Sequence, residues 1–172
     1  MLCYRELYVK LSYNSEYIFF SSNKLYSLKY KKFIKPIIPN NGYLSYRFYL
    51  NDTRIVYLIH KMLGDYFIKN TNPLEYDIID HINQNKLDNR IDNLRWVNSS
   101  INNRNQKLSI LNTSGFQGVN FVKSRNSWKA DWTDNEGKRH NKSFNLNKYN
   151  NAKDLAIEYR KQMVEKYYSR VY

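Results

Sequence analysis

Between residues 79 and 102 the chain runs Ile79-Asp80-His81-Ile82-Asn83-Gln84-Asn85-Lys86, then Asn93-Leu94-Arg95-Trp96-Val97, then Asn102. The apolar ends of that run predict two short strands, Tyr76–Asp80 and Leu94–Val97, around a polar loop from His81 to Asp88. Asn98-Ser99-Ser100 then caps a short helix carrying Ile101 to Gln106. The arrangement puts a carboxylate and an imidazole side by side at a strand end, with an amide oxygen following on the helix. Hard cations such as Mg²⁺ prefer carboxylate and carbonyl oxygens, so Asp80 and Asn102 can hold one ion whose shell water and a phosphate complete. An imidazole titrates near neutrality, so His81 can deprotonate a water aimed at phosphorus. Asn93 would brace the loop through side-chain-to-backbone hydrogen bonds. The plainer alternative is that Asp80 and His81 are ordinary strand-end residues in a chain with 24 Asn.

Upstream, the segments 16–20, 24–30 and 33–38 are rich in Tyr, Phe, Ile and Leu and read as strands. Asn40-Asn41-Gly42 signals a turn before a strand over Tyr43 to Leu50. Asn51-Asp52-Thr53 reads as a helix N-cap, after which Ile55, Leu58, Ile59, Met62, Leu63 and Phe67 recur at helical spacing. His60 rides on that helix as a structural residue.

Downstream, residues 106–114 have no period. After Gly115 come three strand candidates, Phe116–Val122, Trp128–Trp132 and Lys138–Phe144, the last two joined by the hairpin signal Asp134-Asn135-Glu136-Gly137. Ala152, Leu155, Ala156, Tyr159, Met163, Val164 and Tyr167 mark an amphipathic helix. The expected fold class is therefore α+β: a strand-rich module over 1–52, a core over 53–106, a linker over 107–114 and a three-stranded sheet with one helix over 115–172.

The chain has 172 residues and a net charge of +13. Residues 1–103 carry 14 Lys/Arg and 9 Asp/Glu, and residues 104–172 carry 14 and 6, so the back half is the more basic. Such a balance points to a polyanionic partner. The composition, 42% hydrophobic and 16% aromatic, excludes a disordered chain. The lone Cys3 excludes a disulfide framework and a paired-cysteine zinc site. No run is long and apolar enough for a membrane span or a signal peptide, so a soluble, intracellular protein is expected. The excess of Asn over Ala, Gly and Pro suits an AT-rich genome.

His60-Lys61-Met62-Leu63, the Ile79–Lys86 run, Asn89, Asn93–Val97 and Asn102 together resemble the HNH homing endonucleases of phages and introns, which have a ββα-metal core. The resemblance covers about 45 residues. It implies Asp80 and Asn102 as ligands of Mg²⁺ or Mn²⁺, with no zinc and no small-molecule cofactor. It implies His81 as general base, Asn93 as loop brace and a catalytic place for Asn102 where others of the family have His. Lys86, Arg95 and Arg104 are expected to contact double-stranded DNA. Asn83-Gln84 replaces the family's Asp-Gly turn, and Asp88 replaces one Asn of a pair.

Gly118-Val119, Trp128-Lys129-Ala130, Gly137-Lys138-Arg139 and Ser143-Phe144, with the final helix, resemble the Apetala/ethylene-response-factor-type DNA-binding domain. That domain lays a three-stranded sheet in the major groove. Lys123, Arg125, Trp128, Lys129, Trp132, Arg139 and Lys142 are the expected contacts, with one Trp in the core and the other on DNA. Together these imply a monomeric, site-specific DNA endonuclease of a mobile or viral element. A DNA-binding regulator with a decayed nuclease is the alternative.

Overall fold

The structure is a computed structural model and describes residues 6–12, 14–50 and 53–168. The chain divides into two units, Met1–Asn105 and Gln106–Tyr172. Both mix strands and helices.

The first unit opens with an antiparallel sheet of four strands in sequential order, β1 (Tyr8–Leu11), β2 (Asn14–Phe20), β3 (Leu25–Ser27) and β4 (Lys32–Ile34). Alternation turns Leu11, Tyr17, Phe19 and Leu25 inward, and all four are buried. A hairpin follows from β5 (Ser45–Leu50) and β6 (Thr53–Leu58), paired without a break from Ser45↔Leu58 to Leu50↔Thr53. The helix expected from residue 53 therefore begins only at Ile59, as α1 (Ile59–Phe67). Thr53, Ile55, Val56 and Tyr57 are β-branched or aromatic and suit a pleated, half-buried surface. Ile55 and Tyr57 are half-buried while Val56 is exposed, the period of a strand. Asn51 and Asp52, part of the expected cap, lie outside the described residues, and the residue before α1 is Leu58, with no side-chain cap.

Helix α1 buries Ile59, Met62 and Leu63 in the unit's core with Phe19, Phe48, Ile79 and Leu94. It crosses the next hairpin at Gly64, where a Cβ would lie 2.4 Å from Ile79 Cγ1 and 3.2 Å from Trp96 Cζ2. Overpacking there costs about 1–3 kcal/mol, more than the up to ~1 kcal/mol that alanine returns in helix propensity. Gly64→Ala is thus expected to lower stability, read as a fall in the urea midpoint; an unchanged or higher midpoint would show that α1 can shift.

The hairpin under α1 is β7 (Ile78–His81) with β8 (Leu94–Val97), in the register Ile78↔Val97, Ile79↔Trp96, Asp80↔Arg95 and His81↔Leu94. Trp96 Nε1 donates to the carbonyl of Ile68 at the end of α1, tying the helix to the hairpin. Helix α2 (Ser99–Arg104) packs on β7 and β8, capped by Asn98, whose side chain accepts from the Ile101 amide.

The second unit is a sheet in the order β11-β10-β9, from β9 (Val119–Val122), β10 (Ser127–Thr133) and β11 (Arg139–Asn145), packed against α3 (Ala152–Tyr168). Ala130, Ala152 and Ala156 are fully buried, and their small side chains let helix and sheet approach closely. The Asp134–Gly137 turn closes β10–β11: Asp134 Oδ1 accepts from the amides of Glu136 and Lys138, and Gly137 has φ +82°. Tyr168 Oη donates to the Thr133 carbonyl and accepts from its amide, fixing the end of α3 to β10. Residues 107–114, expected as a linker, group with this unit, where the buried Ser114 and Asn112 both bond the Phe116 carbonyl.

Candidate active site

Asp80 and His81 end strand β7 and are 7% and 5% exposed. Both could be read from the sequence as neighbours; what surrounds them could not. Across the hairpin, Arg95 Nε and Nη2 donate to Asp80 Oδ2 at 3.2 and 3.1 Å. From the C-terminus of α2, Asn105 Nδ2 donates to Asp80 Oδ1 and Oδ2 at 2.9 and 2.8 Å and to the His81 carbonyl at 2.7 Å. The carboxylate is therefore held from two sides. Arg95, expected on DNA, lies against Asp80, because the antiparallel register sets the two residues opposite each other.

Asn102 is half-buried on α2, three residues before Asn105, and α2 packs on the hairpin that carries Asp80. A carboxylate and an amide oxygen are the hard donors a divalent cation prefers, so Asp80 and Asn102 could hold one in competition with Arg95 and Asn105, which already bond both Asp80 oxygens. No group of three or more His, Cys, Asp or Glu that could hold a metal occurs among the described residues. A set of one carboxylate and one amide leaves most of an octahedral shell to water and phosphate, the usual state of protein-bound Mg²⁺.

Asn93, 6% exposed, spans the loop that follows His81. Its Oδ1 accepts from the Asn83 amide at 3.0 Å, and its Nδ2 donates to Asn83 Oδ1 at 3.0 Å and to the Asp88 carbonyl at 2.8 Å. Gln84, in the place of the family's glycine, takes the left-handed conformation at φ +62°. Asp88 pairs with Arg90 at 2.9 Å and accepts from Asn83 Nδ2 at 2.7 Å; the Arg90 hydrogen bonds chiefly hold its carboxyl below the usual range. The loop is thus closed by its own side chains.

Three rings, Tyr43, His60 and His81, cluster at the strand end in tilted and edge-on contacts. His60 lies 4.9 Å from Tyr43 and 4.9 Å edge-on from His81. Lys86, expected on DNA, donates to the Asn41 carbonyl at 3.1 Å and sits 4.4 Å over the Tyr43 ring. Burial first, then the neighbouring His81 and Lys61, push His60 down from 6.5 to about 4. Folded His60 stays neutral where the unfolded chain would already take up a proton. Stability contributed by this group is present above pH 6.5 and is lost as the pH falls from there towards 4, by roughly 3 kcal/mol. Thermal melts across that window should show the loss, and His60→Phe should flatten it; equal slopes in both proteins would remove His60 as its source.

Arg104 bonds Ser100 Oγ on the surface of α2. In the second unit, register sorts the expected contacts by face. Trp128, Ala130 and Trp132 alternate on β10, and their partners Phe144, Lys142 and His140 on β11 share their side. Ala130 and Phe144 are buried against α3, so that side faces the helix. Trp132 meets Tyr159 edge-on at 5.4 Å, and Lys142 Nζ lies 4.2 Å over the same Tyr159 ring. Both tryptophans and Lys142 are therefore on the helix side, which corrects the division of one Trp to the core and one to DNA: two residues four apart on a strand cannot face opposite ways. The opposite face carries Lys129, Arg139, Asn120, Asn141 and Ser143, with Lys129 Nζ 2.9 Å from Asp131 Oδ1. Lys123 and Arg125 stand exposed on the one-turn helix before β10.

Sequence reasoning missed Asn105, and it quoted Asn89 within the family-like pattern without giving it a role. Asn89 is 3% exposed, and its Oδ1 lies 3.1 Å from His81 Nε2. In a chain so rich in Asn neither residue gave a signal by type alone.

Residues 73–104 match the HNH endonuclease family and residues 114–166 match the AP2 domain. An uncharacterized HNH endonuclease of Acanthamoeba polyphaga mimivirus is 31% identical over 86 residues, half of this chain and 26% of that protein. Protein 3.8 of Escherichia phage T7 is 43% identical over 63 residues, 37% of this chain and 51% of that one. The DNA endonuclease I-HmuI of Bacillus phage SP01 is 29% identical over 114 residues, 66% of this chain and 64% of that one. The chain thus spans between a quarter and just under two thirds of these relatives. The solved structure of the HNH homing endonuclease I-HmuI superposes with a TM-score of 0.53 over 79% of this chain and 77% of that one, at 24% identity, a likeness of fold.

Proposed function

We propose that this chain, which joins an HNH-type segment to an AP2-type unit, is a site-specific DNA endonuclease of the homing type that hydrolyses phosphodiester bonds. The observation that carries this reading is the buried Asp80-His81 pair at the end of β7, backed by Asn93 in the loop and by α2. In this reading Asp80 and Asn102 hold one divalent ion, Mg²⁺ or Mn²⁺. Bound there, such an ion supplies Lewis-acid stabilisation of the charge that grows on the scissile phosphate. His81 removes the proton from the attacking water. Asn93 keeps the loop, and with it the imidazole, in position. The basic second unit presents Lys129 and Arg139 on the sheet face away from α3, with Lys123 and Arg125 beside it, to double-stranded DNA. Arg and Lys there reach guanine edges or phosphates. No helix among the described residues is long and apolar enough to cross a membrane.

The test is to incubate the protein and Mg²⁺ with a fragment library of AT-rich DNA and sequence the new ends. Ends gathered at one sequence support the reading. Ends scattered at random contradict site specificity. Binding at one sequence with no new ends would favour the regulator with a decayed nuclease.

A further inference from the structure

We propose that Asn89 is a positioning residue that fixes the tautomer of His81, holding the ring hydrogen on Nε2 and leaving the lone pair on Nδ1. The proposal rests on the nuclease reading above for its consequence, but its structural part stands apart from it. Asn89 and His81 are both almost fully buried, 3% and 5% exposed; Asn89 Oδ1 faces His81 Nε2 at 3.1 Å, while Asn89 Nδ2, also buried, has no hydrogen-bond partner among the described residues. Two lone pairs at that distance would repel, so an amide oxygen in this place selects the Nε2–H tautomer; which ring nitrogen carries the hydrogen is set by the bond the other one makes. A neutral imidazole has one lone-pair nitrogen, and only that nitrogen can accept a proton from water. With Nε2 engaged, the basic nitrogen is Nδ1.

Asn89 is itself held by the loop. Its backbone N–H donates to the Leu87 carbonyl at 3.2 Å, and the adjoining Asp88 carbonyl is bound by Asn93. Asn93 thereby acts on His81 at one remove: the loop it braces carries the acceptor that orients the imidazole. The edge of His60, 4.9 Å away, limits rotation of the His81 ring from another side.

The experiment records the long-range ¹H–¹⁵N spectrum of the histidine rings in metal-free wild type, Asn89→Leu and Asn89→Asp, with His81→Gln assigning the His81 signals. Expected is a protonated Nε2 and a bare Nδ1 in wild type and in Asn89→Asp, whose carboxylate also accepts, and a mixed or reversed tautomer in Asn89→Leu. A wild-type Nδ1–H tautomer, or an unchanged spectrum in Asn89→Leu, would overturn the proposal. Should Asn89→Leu not fold, wild type and Asn89→Asp still decide the tautomer. In cleavage assays, misplacing a reacting group by about 1 Å costs about 100-fold in rate, so kcat should fall by about that factor in Asn89→Leu with KM nearly unchanged, and Asn89→Asp should recover most of it. Wild-type kcat in Asn89→Leu would also overturn the proposal. If wild type cleaves no DNA, the nuclease reading fails while the spectra still judge the role of Asn89.

Discussion

Replacing His81 with alanine is expected to slow DNA cleavage by about 100- to 10,000-fold, the usual worth of a positioned general base, while DNA affinity stays within about twofold. The imidazole is 5% exposed, and its described contacts are inward: Asn89 on Nε2, and the rings of His60 and Tyr43. In the proposed reading, affinity rests on the basic surfaces, chiefly the second unit, whose cations the substitution leaves in place. A rate measured under single-turnover conditions at saturating protein separates the two quantities. His81→Ala also empties a ring-sized space and strips Asn89 Oδ1 of its partner, so a circular-dichroism melt must accompany the assay. Cleavage at the wild-type rate by a folded His81→Ala protein would remove His81 from the chemistry.

Asn93→Ala is expected to have the largest effect on stability among the site residues. Its side chain makes three hydrogen bonds in a nearly dry position, two of them to backbone groups of Asn83 and Asp88. Losing a buried partner costs about 1–3 kcal/mol for the group left behind, but Asn83 is exposed and water replaces part of what it loses. A net loss of about 2–4 kcal/mol remains, which in a unit of this size lowers Tm by roughly 10–20 °C. Cleavage should fall with it, because the loop carries both His81 and Asn89. A melt within about two degrees of wild type would show that the loop is held by Asp88, Arg90 and the Asn83 turn without Asn93.

How much of this could be read in advance depended on how local each signal was. Strands β7 and β8 and the Asn98 cap of α2 were legible because the residues that define them lie within a few positions of each other. The side-by-side placement of Asp80 and His81 at a strand end was legible for the same reason. Strand β6 was not: Ile55, Leu58, Ile59, Met62 and Leu63 form one helical series only if two strand residues and three helix residues are counted together, and pairing with β5 decided the first part. Arg95 was expected only as a DNA contact because its partner lies fifteen residues back, yet two short strands around one loop set Asp80 and Arg95 opposite each other, so the ion pair was within reach of a register argument. Trp128 and Trp132 were within reach too, since their equal parity forces one face. The contacts of Asn89 and Asn105 were not, although Asn89 stood in the quoted pattern, because one turn of loop and one helix end bring them to His81 and Asp80, and residue type says nothing of that.

The central claim, a divalent-metal-dependent DNA nuclease centred on Asp80 and His81, meets its most direct test in the conversion of supercoiled plasmid carrying AT-rich DNA. Wild type, Asp80→Ala and His81→Ala are run with Mg²⁺ and with EDTA. The account predicts nicked or linear product only from wild type with Mg²⁺, the product form showing whether one strand or both are cut. Equal product with EDTA, or from both variants, would contradict it.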